Sequence, residues 1–457
     1  MPTLQKKEKV QFSCQNCGYI SLKWLGRCTE CGAWNSFVEE RLLKRSSKNA
    51  LQRSQPANAL PLSEISFDQQ QRIRASNGEF NRVLGGGIVR GSVILLSGDP
   101  GIGKSTLMLQ QGADLAGKAF PVLYVSGEES TQQTKLRAQR LGINSEYLYV
   151  LAETDINEIV VKIDRLNPGL VVVDSIQTIY QPAFESSPGS ISQVRESALT
   201  FLQLAKSKNV PVFLIGHVTK EGYIAGPKVL EHMVDVLLHF EGDRDHFYRI
   251  LRSVKNRFGS TREIGVFAMT STGLVEVRNP SEMFLSQRRD NISGSSVTCT
   301  LEGTRPFLVE IQALVSPTSY GLPQRTVTGI DSKRLSLLLA VLEKRVGLKL
   351  GAFDVFVNAV GGVRIDEPSA DLGILVSVAS SFKNQFVDPE VLLIGEVGLG
   401  GEIRAVPQIE KRIDEAAKLG FKKAVIPGFN LKNLNNSCSL KLLPVDKAEE
   451  VLGEVLH

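Results

Sequence analysis

A glycine-rich stretch in the first third of the chain constrains its fold more than any other feature. Residues 93–97 read Val-Ile-Leu-Leu-Ser, which predicts a buried strand, and residues 98–105 read Gly-Asp-Pro-Gly-Ile-Gly-Lys-Ser. The second run satisfies the phosphate-loop pattern G-x-x-x-x-G-K-[ST], and an apolar helix is predicted to follow it. The alternative is an ordinary glycine-rich turn, but the full spacing and the flanking elements argue against it. The sequence therefore predicts a nucleoside triphosphate site.

The chemistry of this loop assigns a role to each kind of residue in it. Glycines let backbone N–H groups turn towards an anion, and the following helix adds its N-terminal dipole. We expect Lys104 to meet the β- and γ-phosphates of ATP and Ser105 to ligate Mg²⁺. The predicted nucleotide-binding residues form one run: Gly98, Asp99, Pro100, Gly101, Ile102, Gly103, Lys104, Ser105 and Thr106.

Length and composition limit the number of domains and the classes of function that the chain can have. A chain of 457 residues exceeds one core, so two or three domains are expected. Its formal net charge of +5 permits nucleic-acid binding without demonstrating it, because a generic solvated surface has the same composition. The chain shows neither a stretch of about eighteen apolar residues nor a signal-peptide core, so we expect a cytoplasmic protein without a membrane partner.

Four of the six cysteines lie in the first 31 residues, as two C-x2-C pairs separated by ten residues. This spacing predicts a tetrahedral Zn²⁺ site in a ribbon spanning residues 1–38, and disulfides are the weaker alternative in a reducing compartment. The predicted ligands are Cys14, Cys17, Cys28 and Cys31. Trp24 and Trp34, with basic neighbours, fit contact with nucleic acid or a partner protein, or simple coverage of the metal. Residues 39–62 have the composition of a linker.

Residues 63–277 alternate apolar strands with amphipathic helices, which predicts an ATPase domain with a parallel sheet covered on both faces. The run Leu-Val-Val-Val-Asp ending at Asp174 has the form of a Walker B strand, whose carboxylate holds Mg²⁺ through water. The strand at residues 122–126 is followed by Glu128 and Glu129. One of these carboxylates fits activation of the attacking water, and Glu128 is preferred because it lies closer to the strand end. An acidic pair at a helix N-terminus is the structural alternative.

The order of phosphate loop, acidic strand end and Walker B strand resembles the RecA-like ATPase core. That resemblance implies that Glu128 activates water. It also implies that residues 177–195 and 219–232 are mobile loops facing a central DNA channel. His217 is predicted either to sense the γ-phosphate or to serve as a structural hydrogen-bonding group.

A hydrophilic pentapeptide, Lys-Asn-Arg-Phe-Gly at residues 255–259, lies between two predicted strands. Its two cations, Lys255 and Arg257, fit contact with nucleic acid or with a triphosphate in an adjacent subunit, and a solvated turn is the alternative. Together with the four-cysteine ribbon and the phosphate loop, this pentapeptide resembles the signature of the bacterial RadA family, also called Sms. The resemblance covers essentially the whole chain.

The resemblance to this family implies a function. It implies a DNA-repair ATPase that drives branch migration of recombination intermediates alongside the RecA recombinase, as a homo-hexameric ring on single-stranded DNA. Lys255 and Arg257 would then complete catalysis at a subunit interface or couple the ATP state to DNA.

After a predicted linker at residues 278–294, residues 295–457 have their own strand and helix pattern, which predicts a separate α+β domain. The run Asp-Glu-Pro-Ser-Ala-Asp-Leu-Gly around Ser369 resembles the serine turn of Lon-type proteases. Such a peptidase needs a lysine amine to activate its serine. Alignment back from residues 426–427 puts Glu410 at the lysine position and Lys411 one residue away. Asp371 also stands where these proteases tend to have glycine. Peptidase activity is therefore not expected.

We expect this domain to supply ring assembly and DNA contacts instead. Cys299 and Cys438 are predicted to be buried thiols. The candidate phosphate contacts are basic residues: Arg305, Arg325, Lys333, Arg334, Lys344 and Arg345.

In sum, the sequence predicts a four-cysteine zinc ribbon, a RecA-like α/β ATPase core and a Lon-like α+β domain, with ATP, Mg²⁺ and Zn²⁺ as cofactors. The predicted activity is DNA-dependent ATP hydrolysis that drives branch migration of RecA-made intermediates on single-stranded DNA. Two alternatives stay open at this point. One is a DNA loader or RecA accessory switched by ATP without translocation, and the other is an ATP-dependent peptidase.

Overall fold

The structure is a computed structural model, and the chain divides into two compact units, Met1–Arg278 and Asn279–His457. Each unit is described by itself. The structure describes residues 10–14, 19–41, 61, 72–184, 186–216, 228–242, 248–286, 288–289, 291–319, 321–432, 434 and 440–457. None of the helices within these ranges is long and apolar enough to cross a membrane.

The first unit begins with a small antiparallel sheet of the order β2-β1-β3. Its strands are β1 Val10–Cys14, β2 Ile20–Ser21 and β3 Phe37–Arg41. Among the residues that the structure describes, the core of this ribbon is Cys14, Cys28 and Phe37, with Phe12 and Leu25 packed beside them. A core this small needs a further crosslink, and a metal ion is one way to supply it.

The rest of the first unit is built on a nine-stranded sheet of the order β12-β11-β10-β9-β4-β8-β7-β5-β6. Its strands are β4 Val93–Gly98, β5 Val122–Ser126, β6 Leu148–Ala152, β7 Leu170–Asp174, β8 Val212–Ile215, β9 Val236–Glu241, β10 Tyr248–Asn256, β11 Ile264–Thr270 and β12 Gly273–Glu276. Its helices are α1 Gly78–Val83, α2 Lys104–Leu115, α3 Thr131–Arg140, α4 Ile156–Leu166, α5 Ile191–Lys208 and α6 Lys228–Met233.

Six adjacent strands, from β9 to β6, are parallel, and β10 to β12 extend the sheet as antiparallel strands. Two apolar clusters cover the two faces, so β4, β5, β7 and β8 are buried along their whole length. Burial on both faces explains why these strands are continuous apolar runs rather than alternating patterns. The carboxyl ends of β4, β7 and β5 therefore meet at one edge of the sheet.

The second unit contains a seven-stranded mixed sheet of the order β15-β16-β14-β13-β17-β20-β21 and a two-stranded sheet, β18-β19. Its strands are β13 Ser295–Glu302, β14 Arg305–Pro317, β15 Arg325–Thr328, β16 Phe353–Ala359, β17 Val391–Leu393, β18 Glu396–Val397, β19 Ile403–Arg404, β20 Lys423–Pro427 and β21 Lys441–Val445. Its helices are α7 Pro280–Leu285, α8 Ser332–Val341, α9 Asp371–Lys383, α10 Ile409–Lys418, α11 Gly428–Leu431 and α12 Ala448–Val455.

Two features of this unit bear on the site. Helix α9 is buried for its first ten residues, so it forms the centre of the unit. Helix α7 lies within the segment 278–294, which the sequence predicted as a linker, and packs on β14.

Candidate active site

The phosphate loop joins the central strand β4 to helix α2. Gly98 has a φ of +148°, and a Cβ there would lie 2.4 Å from the carbonyl oxygen of Phe240, so no other residue fits. Gly103 precedes α2 in the left-handed region, with a φ of +115°, and no side chain caps the helix. The first-turn N–H groups of α2 therefore point at the loop, which is the arrangement that binds phosphate at helix N-termini.

Lys104 is the cation of this loop, and its side chain lies against the loop backbone. Its Nζ donates to the carbonyl oxygens of Gly98 (2.8 Å) and Asp99 (2.9 Å), and the residue is 3% exposed. Burial lowers the pKa of Lys104 from 10.5 to about 8, and the charges of Asp174, Asp99 and Glu128 partly oppose that shift. The ammonium is therefore poorly hydrated and gains from contact with an anion.

The other predicted loop residues surround this lysine. Asp99, Pro100 and Gly101 are exposed, Ile102 is buried, and Ser105 and Thr106 are half-buried at the start of α2. The exposed turn leaves the loop open to a ligand.

Asp174 and Glu128 lie on neighbouring strands at the same edge. Asp174 ends β7 and is 7% exposed, and it accepts a hydrogen bond of 2.5 Å from the Tyr124 hydroxyl. The exposed Glu128 follows β5 and accepts a hydrogen bond of 2.6 Å from the hydroxyl of Ser175. The structure therefore brings together Lys104, Asp174 and Glu128. Sequence reasoning missed Tyr124 and Ser175, although each lies beside a predicted site residue.

The two adjacent glutamates differ in their partners. Glu129 forms an ion pair with Arg137 of α3, and its N–H donates to Ser126. Glu128 points instead towards Ser175 and the phosphate-loop lysine. This difference is the physical basis for preferring Glu128.

A magnesium ion fits the donors at this edge. The hydroxyl of Ser105 and the carboxylate of Asp174 are hard oxygen ligands of the kind that Mg²⁺ takes. These two residues were chosen from the sequence for this role.

Lys255 and Arg257 lie away from this group. Asn256 pairs with Val236 at the beginning of β9, which runs parallel to β4, so the pentapeptide lies at the sheet edge where β4 begins. The phosphate loop follows the other end of β4, about 17 Å away at the usual strand rise. Within one chain, the structure therefore does not bring these two cations to Lys104.

Both cations are held at that far edge. The backbone N–H of Arg257 donates to the carbonyl oxygen of Asp235 (3.1 Å), and its guanidinium lies 3.3 Å from the buried Asp235 carboxylate. Lys255 Nζ donates to the carbonyl oxygens of Glu231 (2.7 Å) and His232 (3.2 Å), at the end of α6. Loss of hydration and the charge of Arg257 lower the pKa of Lys255. The Arg257 side chain is 56% exposed, so it is accessible from outside the chain.

Three of the four predicted zinc ligands form a cluster. The sulfur atoms of Cys14, Cys28 and Cys31 all lie within 4.8 Å of one another, and those of Cys14 and Cys31 are 3.7 Å apart. Two thiolates on one tetrahedral Zn²⁺ are separated by about 3.8 Å, whereas a disulfide needs about 2.05 Å. The sulfur geometry therefore fits a metal ion and not a cystine. Cys17 lies outside the described residues.

The two tryptophans of the ribbon are exposed, Trp24 by 53% and Trp34 by 71%. The Arg27 guanidinium lies over the Trp34 ring at 5.6 Å. Their exposure disfavours the interpretation that they shield the metal. The cation–π contact holds the Arg27 guanidinium beside the exposed indole.

Ser369 of the second unit lies in a closed polar pocket. It precedes α9 and is 1% exposed, and its hydroxyl donates to the carbonyl oxygen of Cys299 (3.2 Å). The fully buried Arg412 donates to the Ser369 oxygen (2.9 Å) and to the Cys299 carbonyl (2.6 Å), and it forms an ion pair with Glu367. Burial raises the pKa of the Cys299 thiol to about 12. A guanidinium stays charged at any accessible pH, so it cannot accept the serine proton.

The alignment put Glu410 at the position of the Lon lysine, but the residue that contacts Ser369 is Arg412. The buried face of α10 is Ile409, Arg412, Ile413 and Ala416, at helical spacing, and Glu410 lies on the exposed face. Arg412 therefore occupies the place beside Ser369. In the sequence, Arg412 lies within the apolar stripe of α10, and this position could have indicated a buried ion pair.

The six candidate phosphate contacts of this unit divide into two groups. Arg305 is 8% exposed with its guanidinium over Phe307, and Arg325 donates to the carbonyl oxygen of Leu350. Arg334 is paired with the buried Asp371, which also accepts from the Val397 N–H. The exposed members are Lys333, Lys344 and Arg345.

The loops predicted to face DNA are described only in part. Residues 177–195 are described except for 185, and Gln193 donates there to the carbonyl oxygens of Gln181, Phe184 and Ser186. His217 and residues 219–227 lie outside the described residues, as does Cys438.

Three protein families match successive parts of the chain. They are a rubredoxin metal-binding domain at residues 12–39, an AAA domain at residues 58–223 and the Lon protease (S16) C-terminal proteolytic domain at residues 348–457. Together with the sheet order and the cysteine cluster, these matches confirm the predicted fold class.

Curated relatives match the chain along its whole length. The DNA repair protein RadA of Bacillus subtilis (strain 168) is 54% identical over 450 residues, which are 98% of this chain and 98% of that protein. The protein of the same name from Listeria monocytogenes is 51% identical over 451 residues, 98% of this chain and 99% of that protein. Among solved structures, the RadB recombinase matches 44% of this chain and 98% of its own, with 24% identity and a TM-score of 0.37.

Proposed function

The chain belongs to the family of RadA DNA repair proteins, and from that premise we propose that it is a DNA-dependent ATPase that drives branch migration of recombination intermediates. The observation that carries the proposal is the meeting of Lys104, Asp174 and Glu128 at one sheet edge beside an open phosphate loop. ATP hydrolysis needs all three groups, whereas nucleotide binding alone requires no carboxylate placed to act on water.

Each of these residues has one task in hydrolysis. Lys104 neutralises charge on the β- and γ-phosphates, and its poor hydration makes that contact favourable. Glu128 accepts a hydrogen bond from the attacking water and orients it in line with the γ-phosphate. Ser105 and Asp174 would hold Mg²⁺, which when bound would draw charge from the phosphate oxygens.

Lys255 and Arg257 act in the site of a neighbouring subunit. They lie at the sheet edge opposite their own phosphate loop, and Arg257 is accessible there. A ring that places this edge against the next subunit's loop would add their charge to the transition state. This need for a neighbour supports a ring of identical subunits, and we propose that the ring is a homo-hexamer.

The in-trans role has a direct test by mixing subunits. Lys104→Ala and Arg257→Ala proteins should each be inactive, and mixed rings should regain hydrolysis, because some interfaces then combine an intact loop with an intact arginine. Mixed rings without recovered activity would contradict the role in trans and favour a DNA contact for Arg257.

The partners follow from the same family. We propose that the ring acts in the cytoplasm on single-stranded DNA and branched intermediates made by the RecA recombinase. The relatives' names support DNA repair, and the exposed Lys333, Lys344 and Arg345 suit phosphate contacts. Zn²⁺ bound by Cys14, Cys17, Cys28 and Cys31 would hold the ribbon folded with its exposed tryptophans.

The experiment that tests the motor is strand displacement on a three-stranded recombination intermediate. We expect the branch to move with ATP and to stay in place with a non-hydrolysable analogue. If ATP is hydrolysed but the branch never moves, the protein is instead a DNA loader switched by nucleotide.

A further inference from the structure

The two carboxylates of the nucleotide site are each held by a hydroxyl from the other strand. Tyr124 lies on β5 and donates to Asp174, at the end of β7, over 2.5 Å. Ser175, the residue after β7, donates to Glu128, after β5, over 2.6 Å. The two hydrogen bonds thus cross between neighbouring parallel strands.

The strand register explains why the hydroxyls reach these partners. Ser126 is the residue opposite Asp174, and Tyr124 lies two positions earlier, on the same face of the sheet. Tyr124 is 1% exposed and Ser175 is fully buried. Since an ionised carboxylate only accepts hydrogen bonds, each hydroxyl is the donor. Neither hydroxyl can turn to water, so each holds its carboxylate in a single orientation.

We propose that Tyr124 and Ser175 are positioning residues with separate tasks: Tyr124 orients Asp174 towards Mg²⁺, and Ser175 orients Glu128 towards the attacking water. The inference rests on the proposed ATPase function, whose residues it takes as given. Partners of this kind around metal-binding groups set ligand orientation, and their loss lowers metal affinity by about 10- to 100-fold.

The separation of tasks predicts two different defects. Tyr124→Phe removes only the hydroxyl and keeps the buried ring, so Asp174 loses its orientation and the Mg²⁺ requirement rises. Ser175→Ala leaves Asp174 in place and frees Glu128, so turnover falls at an unchanged Mg²⁺ requirement. The matched control is Tyr149→Phe, which removes a hydroxyl from a 43% exposed tyrosine on the next strand.

The first measurement is the affinity for a fluorescent non-hydrolysable ATP analogue, titrated with Mg²⁺ and repeated in EDTA. For Tyr124→Phe, we expect the Mg²⁺ concentration at half-effect to rise by about tenfold, with analogue affinity in EDTA unchanged. Ser175→Ala and Tyr149→Phe should both follow the wild-type curve.

The second measurement is ATP turnover at saturating Mg²⁺, which should fall by about tenfold in Ser175→Ala. At subsaturating Mg²⁺, Tyr124→Phe should also lose turnover, and Mn²⁺, which binds such sites more tightly, should restore it in Tyr124→Phe but not in Ser175→Ala.

Two results would overturn the inference. One is an unchanged Mg²⁺ dependence in Tyr124→Phe, and the other is the same loss in both variants with no rescue by Mn²⁺, which would show a merely structural role. The analogue titration needs no hydrolysis. A wild-type protein that binds the analogue with Mg²⁺ but never hydrolyses ATP would therefore defeat the proposed function while leaving the Tyr124 assignment measurable.

Discussion

Lys104 and Arg412 are both buried cations beside a hydroxyl-bearing residue, yet their surroundings differ. Within the described part of the chain, the hydrogen bonds of Lys104 Nζ go to the carbonyl oxygens of Gly98 and Asp99, and the turn next to it is exposed. Arg412 is paired with Glu367, and it also donates to three further oxygen atoms, of Pro407, Ser369 and Cys299, within a closed pocket. The first cation can exchange its partners for a ligand, whereas the second already has its counter-ion inside the fold.

This difference separates a reactive site from a structural one. The effect of burial on Lys104 outweighs that of the nearby carboxylates of Asp174, Asp99 and Glu128, so its ammonium gains from a further anion such as phosphate. A neutralised guanidinium that cannot give up its proton holds its neighbours in place but activates nothing. We therefore expect the Lon-like unit to have no peptidase activity.

The largest expected effect is a loss of ATP turnover at the nucleotide site. Lys104→Ala should lower ATP turnover by about a thousandfold, because the phosphates lose their fixed cation, while the fold persists. Steady-state hydrolysis with DNA measures the effect, and the exposed Lys118→Ala is the matched control. Retained turnover in Lys104→Ala would show that Lys104 is not the cation of a reactive site.

The next largest effect is a loss of stability in the second unit, around Arg412. Arg412→Ala leaves the partly buried Glu367 without its cation and should cost the second unit about 3–5 kcal/mol of unfolding free energy. The adjacent Lys411→Ala, on the exposed face, should change it by less than about 0.5 kcal/mol. Denaturant unfolding, with hydrogen exchange to locate the transition, gives both values. If Arg412→Ala and Lys411→Ala were equally stable, Arg412 would have no structural role.

The smallest effect is expected at the serine itself. Ser369→Ala removes a hydroxyl that bonds Cys299 and Arg412, and Arg412 still satisfies the Cys299 carbonyl, so the expected cost is about 1 kcal/mol. ATP turnover should be unchanged. Wild-type protein should also resist labelling by a fluorophosphonate, whereas labelling at Ser369 would reveal a working nucleophile.

Local patterns were enough to predict the elements that carry the nucleotide site. The strands predicted at residues 93–97, 122–126 and 170–174 are found as β4, β5 and β7, within one residue at each end. Full burial made these strands continuous apolar runs, and the loop glycines have backbone conformations that other residues rarely adopt.

The contacts that the sequence analysis missed depend on the order of the strands in the sheet and on which face of a helix is buried. The bond from Tyr124 to Asp174 exists because β5 and β7 are neighbours in the sheet, although β6 lies between them in the chain. Arg412 was missed because the alignment counted residues back from β20 instead of following the buried stripe of α10. The distance of Lys255 from Lys104 likewise follows from the antiparallel extension of the sheet.

The most direct test of the central claim is steady-state ATP hydrolysis by the full chain, with and without single-stranded DNA. If the site at the end of β4 drives a DNA motor, DNA should stimulate hydrolysis severalfold, and Lys104→Ala should abolish both the basal and the stimulated rates. A hydrolysis rate that DNA leaves unchanged would contradict the claim.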